Sequence, residues 1–129
     1  MKKKRVLVVD DSEIVLAAAR EALEEEGFEV VTALNALEAD AHIICKHKPD
    51  IIVLDVMLPV LDGDKKAKML KENELTGSIP ILLLSSKPES VLRCLVEESG
   101  SDGFVRKPFS NRQLVTKVRE TLDGKPVGR

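Results

Sequence analysis

Aromatic residues are nearly absent from this chain of 129 residues. It contains no tryptophan and no tyrosine, and only three phenylalanines. A hydrophobic fraction of 43% still provides enough apolar material for a core, because the length is typical of one domain. That core must therefore be built from aliphatic side chains.

Other features are scarce as well. The only two cysteines, Cys45 and Cys94, stand in no CxxC motif, which predicts core thiols of a reducing compartment rather than a disulfide or metal framework. The apolar run Val6–Val9 is too short for a signal peptide or a membrane span. A net charge of −2 gives no strongly basic surface for nucleic acid.

Short apolar runs alternate with longer helical patterns. The central runs show no polar alternation, which is typical of parallel strands covered on both faces. The predicted strands are Arg5–Val9, Phe28–Ala33, Ile51–Leu54, Ile81–Leu84 and Gly103–Val105. The first helix is predicted from an apolar face made of Ile14, Val15, Ala18, Ala19, Ala22 and Leu23, with Gly27 just after its end.

The sequence signals for the four later helices differ in strength. The second is predicted over about Leu37–Lys46 and the third over Asp64–Asn73. The third has few apolar residues and should be rather exposed. The fourth begins at Pro88, a favoured first-turn residue. Ser110 and Gln113 form an S-x-x-Q capping box that starts the fifth.

Five alternating strand–helix units define the predicted fold. They indicate an α/β protein with a doubly wound, five-stranded parallel sheet of the (βα)₅ flavodoxin-like type, in the order 2-1-3-4-5. We expect residues 1–123 to form one domain and residues 124–129 to be a C-terminal tail or linker stub.

Polar residues follow the strands at their carboxyl ends, where open parallel sheets bind ligands. Asp10 and Asp11 follow the first strand, Asp55 follows the third, and Ser85 and Lys107 follow the fourth and fifth. Any one of these acids alone is more often a loop or helix cap. Three carboxylates gathered at neighbouring strands repel each other unless a cation is present, and an all-oxygen set favours Mg²⁺ over Zn²⁺.

From about Lys4 to Leu122, the chain resembles the receiver domains of two-component response regulators. The motifs that carry the resemblance are Asp10-Asp11, Leu54-Asp55-Val56-Met57-Leu58-Pro59 with Asp62-Gly63, Ser85, and Phe104-Val105-Arg106-Lys107-Pro108-Phe109. The resemblance implies a signalling domain rather than an enzyme. Such a domain catalyses only its own phosphorylation and dephosphorylation.

The resemblance implies a role for each site residue. Asp55 is the expected phosphoacceptor. Asp11, Asp55 and the backbone carbonyl of Met57 would hold Mg²⁺ or Mn²⁺, and Asp10 would act through a bound water. Lys107 would pair with Asp55 and then with a phosphoryl oxygen, and Ser85 would donate its hydroxyl to another. The peptide bond before Pro108 is expected to be cis.

Switching and partners are also implied. Ser85 would move toward the phosphoryl group and Phe104 would turn inward, which would change the surface of the fourth helix, fifth strand and fifth helix for a downstream effector. The phosphoryl donor would be a sensor histidine kinase or a phosphotransfer protein in the cytoplasm. No direct nucleic-acid or membrane contact is expected, and homodimer formation on activation stays open. Residues flanking the site are Met57, Ser86 and Lys87.

One surface question stays open, and three competing functions need features that the sequence lacks or does not explain. The lysines of the third helix are either solvated or meet an acidic partner; they are Lys65, Lys66, Lys68 and Lys71. A phosphatase of the haloacid-dehalogenase type needs a second Asp two residues after the nucleophile, where this chain has Met57. A flavin carrier would need a Ser/Thr-rich phosphate loop and aromatic residues. An unphosphorylated scaffold would not need the full acidic set, Ser85 and Lys107.

Overall fold

The computed structural model describes residues 3–124, and they form five strands alternating with five helices. The strands are β1 (Arg5–Val9), β2 (Glu29–Ala33), β3 (Ile51–Asp55), β4 (Ile81–Ser85) and β5 (Gly103–Arg106). The helices are α1 (Glu13–Glu25), α2 (Ala36–Ile43), α3 (Gly63–Glu72), α4 (Glu89–Ser99) and α5 (Asn111–Leu122). Of the predicted tail, residues 125–129 lie outside the described residues.

The sheet is parallel throughout and has the order β2-β1-β3-β4-β5, which confirms the predicted fold. Because β1 and β3 are neighbours, Val9 pairs with Leu54 and the residues that follow both strands emerge side by side. The same holds for β4 and β5, where Ser85 pairs with Arg106. The register thus brings the carboxyl ends of four strands to one edge.

Two aliphatic cores cover the faces of the sheet. One contains buried side chains of α1 and α5, and the other contains those of α2, α3 and α4. The residues of β1, β3 and β4 alternate between the two, so these strands are buried on both sides. Phe28, at 8% exposure, is the one aromatic side chain buried among the described residues.

Local signals place the helix ends. Ser110 Oγ accepts a hydrogen bond from the Gln113 amide at 3.1 Å, and the Gln113 side chain accepts one from the Ser110 amide at 2.8 Å, so the capping box is confirmed. Gly27, with φ of 92°, follows the end of α1 as predicted.

The buried face of α1 was predicted incompletely. Ile14 is 83% exposed and Ala18 is exposed, whereas Leu16 is buried together with Ala19, Ala22 and Leu23. The helix turns about 100° per residue, so Leu16 fits the inward stripe better than Ile14 does.

Two further predictions need correction. The α2 helix ends at Ile43, not near Lys46, and the following residues form a turn that leads to the buried Pro49. The cysteines are not core thiols: Cys45 is half-buried and Cys94 is exposed. Among residues 3–124, no helix has the length and apolar character needed to cross a bilayer.

Candidate functional site

Three carboxylates converge where β1 and β3 end. Oxygen atoms of Asp10, Asp11 and Asp55 all lie within 4.8 Å of one another. Asp10 is fully buried and Asp55 is 3% exposed, while Asp11 is exposed at the rim. The gathering expected from the strand order is therefore present in the structure.

Lys107 supplies the positive charge of this cluster. Its Nζ lies 2.7 Å from Asp10 Oδ2 and 3.5 Å from Asp55 Oδ1. The expected pairing with Asp55 is thus present, but Asp10 is the nearer carboxylate, a partner that the sequence did not indicate. The peptide bond between Lys107 and Pro108 is cis, as the resemblance implied.

The pKa of Asp55 is raised. Burial of the carboxylate and the neighbouring Asp10 charge raise it, whereas Lys107 and a hydrogen bond from the Met57 amide to Asp55 Oδ1 at 3.3 Å lower it. Together these effects move the pKa from 3.8 to about 6. The carboxylate is therefore poorly compensated in the protein alone. An added positive charge close to it would favour the ionised, nucleophilic form.

Lys107 has a raised pKa. Burial of the ammonium group lowers the pKa, but the carboxylates of Asp10 and Asp55 outweigh that effect. Lys107 therefore stays a cation at neutral pH and one edge of the site is permanently positive.

The acidic cluster suits a hard divalent cation. Asp10 Oδ1 accepts a hydrogen bond from the Ser12 amide at 2.9 Å, whereas Asp10 Oδ2 is buried and has no hydrogen-bond donor in suitable geometry despite the nearby ammonium group. Exposed Asp11 leaves the cluster open on one side. An all-carboxylate set that is open to solvent through Asp11 fits Mg²⁺ chemistry.

Ser85 lies on the far side of the site. It is buried at the end of β4, and its Oγ accepts a hydrogen bond from the Lys87 amide at 3.0 Å. Its carbonyl accepts one from the Lys107 amide at 2.8 Å, which ties the two segments together. Arg106 Nε donates to the Lys87 carbonyl at 3.0 Å. This contact was missed from the sequence, where an exposed arginine at the end of a strand gives no signal.

The remaining predicted site residues surround this cluster. Met57 and Ser86 are exposed, and Lys87 is half-buried. Phe104 is half-buried against the core of α2, α3 and α4, and Lys117 Nζ of α5 lies 5.9 Å from the centre of its ring. Phe104 and Lys107 line one cavity of about 700 Å³ between β5 and α5, so the site and the α5 surface are contiguous.

Gly63 packs against the backbone at the end of β3, next to Asp55. Its amide donates to the Val56 carbonyl at 2.8 Å. A Cβ atom on Gly63 would lie 1.9 Å from the Asp55 carbonyl oxygen, a distance that no side chain can occupy. The first turn of α3 can approach the end of β3 only because residue 63 has no side chain.

The fold is that of a doubly wound α/β protein, and the acidic cluster lies at the carboxyl ends of its strands, where proteins of this architecture bind ligands. Residues 6–119 match the family model described as the response regulator receiver domain, and the chain belongs to that family. The family is one of signalling domains, and its relatives give no support to the haloacid-dehalogenase alternative.

Several characterised proteins are similar to this chain. The phosphate regulon transcriptional regulatory protein PhoB of Pseudomonas aeruginosa is 40% identical over 92% of the chain, which spans only 52% of PhoB. Protein PilG of the same species is 35% identical over 89% of the chain and 84% of PilG. The structure of chemotaxis response regulator CheY4 of Vibrio cholerae superimposes with a TM-score of 0.86 at 28% identity, covering 93% of this chain and 99% of CheY4.

Proposed function

We propose that this domain accepts a phosphoryl group on Asp55 and changes its signalling surface in response. The observation that carries the proposal is the cluster of three carboxylates within 4.8 Å of one another, with Lys107 Nζ 3.5 Å from Asp55 Oδ1. A carboxylate nucleophile, a fixed cation and an oxygen-only ligand set are the parts that phosphoryl transfer to an aspartate needs.

The transfer can be written from the residues of the site. A carboxylate oxygen of Asp55 attacks the phosphorus of a phosphohistidine, the P–N bond breaks, and the departing imidazole takes up a proton. Lys107 stabilises one phosphoryl oxygen, and the Ser85 hydroxyl donates a hydrogen bond to another. Asp11, Asp55 and the Met57 carbonyl would hold Mg²⁺ or Mn²⁺, with Asp10 acting through a bound water, and the ion would neutralise phosphoryl charge when bound.

The partners and limits of the domain are part of the same proposal. A sensor histidine kinase or a phosphotransfer protein would supply the phosphoryl group in the cytoplasm, a compartment that the two free cysteines fit. An effector would bind the α4–β5–α5 surface, where Phe104 turns inward after Ser85 has moved. The receiver domain would extend over residues 1–123, and residues 124–129 would be a tail or linker.

Labelling with acetyl phosphate tests the acceptor. The wild-type chain should gain one phosphoryl mass by mass spectrometry when Mg²⁺ is present, and chelation with EDTA should prevent the gain. Asp55→Asn should not be labelled, whereas the control Asp123→Asn, an exposed carboxylate after α5, should label normally. Equal labelling of Asp55→Asn and wild type would show that another residue is the acceptor.

A further inference from the structure

The outer face of α2 carries an apolar stripe. Leu37 is 80% exposed and Ile44, the residue that ends the helix, is 78% exposed; Ala41 between them is also exposed. Their spacing of four and three residues places them on one face of the helix. The opposite face of α2 packs into the core through Ala36, Ala39 and Ile43.

The stripe borders an apolar groove that α3 completes. The groove has a volume of about 410 Å³, and Leu37, Val60 and Met69 are among its lining residues. Val60 is fully exposed and Met69 is 55% exposed. With Ile44, this face holds four of the eight large hydrophobic side chains that are exposed among residues 3–124. Such a concentration marks an interaction surface.

Val60 gives independent support. Its φ is 70°, in the left-handed region that β-branched residues strongly disfavour. Val60 is thus both strained and fully exposed at the rim of the apolar groove. Strain of this kind is typical of positions retained for function.

We propose that this face binds a second copy of the chain, with the two α2 helices packed antiparallel about a two-fold axis at Ala41. The stripe is self-complementary in that arrangement, because Leu37 of each copy meets Ile44 of the other and the two Ala41 residues meet each other. The small side chain at the centre lets the helices approach closely, while the large residues on either side fill the space between them.

The charges of α2 fit the same arrangement. Glu38 is exposed in the first turn, and exposed Lys46 and Lys48 follow the last turn. Antiparallel packing sets the acidic end of each helix beside the basic end of the other, and it also opposes the two helix dipoles. Asp40, which faces the groove, is already paired with Lys66, so no unpaired carboxylate enters the interface there. The α2 helix, with an acidic residue in its first turn and lysines after its end, matches an antiparallel copy of itself better than it matches a partner of one charge.

This dimer surface is separate from the proposed effector surface. The α2 face lies on the side of the sheet covered by α2, α3 and α4, and none of its residues belongs to α4, β5 or α5. The inference therefore does not depend on phosphorylation of Asp55. The unphosphorylated chain and Asp55→Asn should dimerise equally.

Sedimentation velocity over about 10 µM to 1 mM tests the proposal with the full chain. The wild type should shift from a mass of 14.2 kDa toward twice that value as concentration rises. Ala41→Glu should weaken dimerisation by about tenfold or more, because two like charges would meet at the axis. The control Ile14→Ser removes an equally exposed side chain from α1 on the opposite face and should dimerise like wild type.

Cysteine cross-linking tests the antiparallel orientation. In a Cys45→Ser, Cys94→Ser background, Ala41→Cys should form a disulfide-linked dimer on mild oxidation, because residues at a two-fold axis face themselves. Leu37→Cys should not, because residue 37 faces residue 44. Circular dichroism checks that each variant is folded. A wild type that stays monomeric at all concentrations, an Ala41→Glu variant that dimerises normally, or equal cross-linking at positions 37 and 41 would overturn the proposal.

Discussion

At the scale of single residues, Asp55 links the chemistry of the site to the stability of the fold. Its pKa is raised from 3.8 to about 6, so the folded state binds the proton more tightly than the unfolded state. Its contribution to stability is therefore complete below about pH 4 and is lost as the pH rises through about 6. At neutral pH and without a bound metal ion, the ionised Asp55 destabilises the folded protein.

Asp55→Asn should consequently be more stable than wild type at pH 8 in metal-free buffer. We expect a gain of about 1–3 kcal/mol in the free energy of unfolding, which shrinks to near zero at pH 4. Urea unfolding at a series of pH values measures it. Asp123→Asn is the control and should follow wild type throughout. A difference between Asp55→Asn and wild type that is independent of pH would contradict this reading of Asp55.

Mg²⁺ should stabilise wild type selectively and so oppose the stability advantage of Asp55→Asn. An ion bound by the ionised cluster stabilises the folded state by mass action and competes with the proton on Asp55. At pH 8, millimolar Mg²⁺ should raise the melting temperature of wild type but not that of Asp55→Asn, as thermal unfolding would show. The increase should become smaller as the pH falls below about 6.

The sequence predicted which residues meet at the site, and the family resemblance implied that Lys107 pairs with Asp55, but neither indicated that Asp10 is the nearer partner. Strand order places Asp10, Asp11, Asp55 and Lys107 at one edge, because parallel strands end together. The distances of 2.7 Å to Asp10 and 3.5 Å to Asp55 depend on the side-chain torsions of Lys107, which no pattern in the sequence encodes. The closer contact with Asp10 therefore required coordinates.

At the scale of elements, the junction of β3 and α3 depends on Gly63. Gly63→Ala should displace the end of β3, cost about 2–3 kcal/mol of stability and weaken Mg²⁺ binding, because the added methyl group would overlap the Asp55 carbonyl. Gly27→Ala is the matched control: its φ of 92° makes it unfavourable, but nothing lies within 4 Å of its Cβ position. If both variants bind Mg²⁺ like wild type in calorimetry, Gly63 does not support the site.

The pair of helices α2 and α3 is joined by the ion pair of Asp40 and Lys66. Lys66 is only 7% exposed, so Asp40→Ala would leave a buried ammonium group without a partner. We expect a loss of about 2–4 kcal/mol for Asp40→Ala and less for the double variant Asp40→Ala, Lys66→Met, which removes the charge as well. Chemical denaturation of the two variants measures the difference. A double variant less stable than Asp40→Ala would contradict this account of the pair.

Periodicity located the elements but could not assign the lysines of α3. The helix has few apolar residues and was expected to be rather exposed, yet Lys66 is buried and Lys71 Nζ lies 2.8 Å from Asp102. Two of its four lysines thus have partners within the chain, which replaces the expectation that all of them are solvated or meet an acidic partner. Their partners, Asp40 and Asp102, are more than 20 residues away in sequence, and local patterns contain no such information.

At the scale of the whole molecule, Lys107 connects the site to the proposed effector surface. Lys107→Ala should still fold, because the side chain is not part of either core, but phosphorylation should no longer change amide exchange over residues 86–110. Hydrogen exchange with and without acetyl phosphate measures this effect. Lys4→Ala, an exposed lysine at the opposite edge, should respond like wild type. A normal response in Lys107→Ala would remove Lys107 from the switch.

The acidic site draws on four strands whose contributions, Asp10, Asp55, Ser85 and Lys107, are spread over almost a hundred residues of chain. High contact order of this kind means that chain closure must be nearly finished before the reacting groups meet. No excised peptide could reproduce the chemistry, and a folding intermediate that lacks β5 would be inert. The time at which acetyl phosphate labelling begins during refolding would therefore report when the last strand joins the sheet.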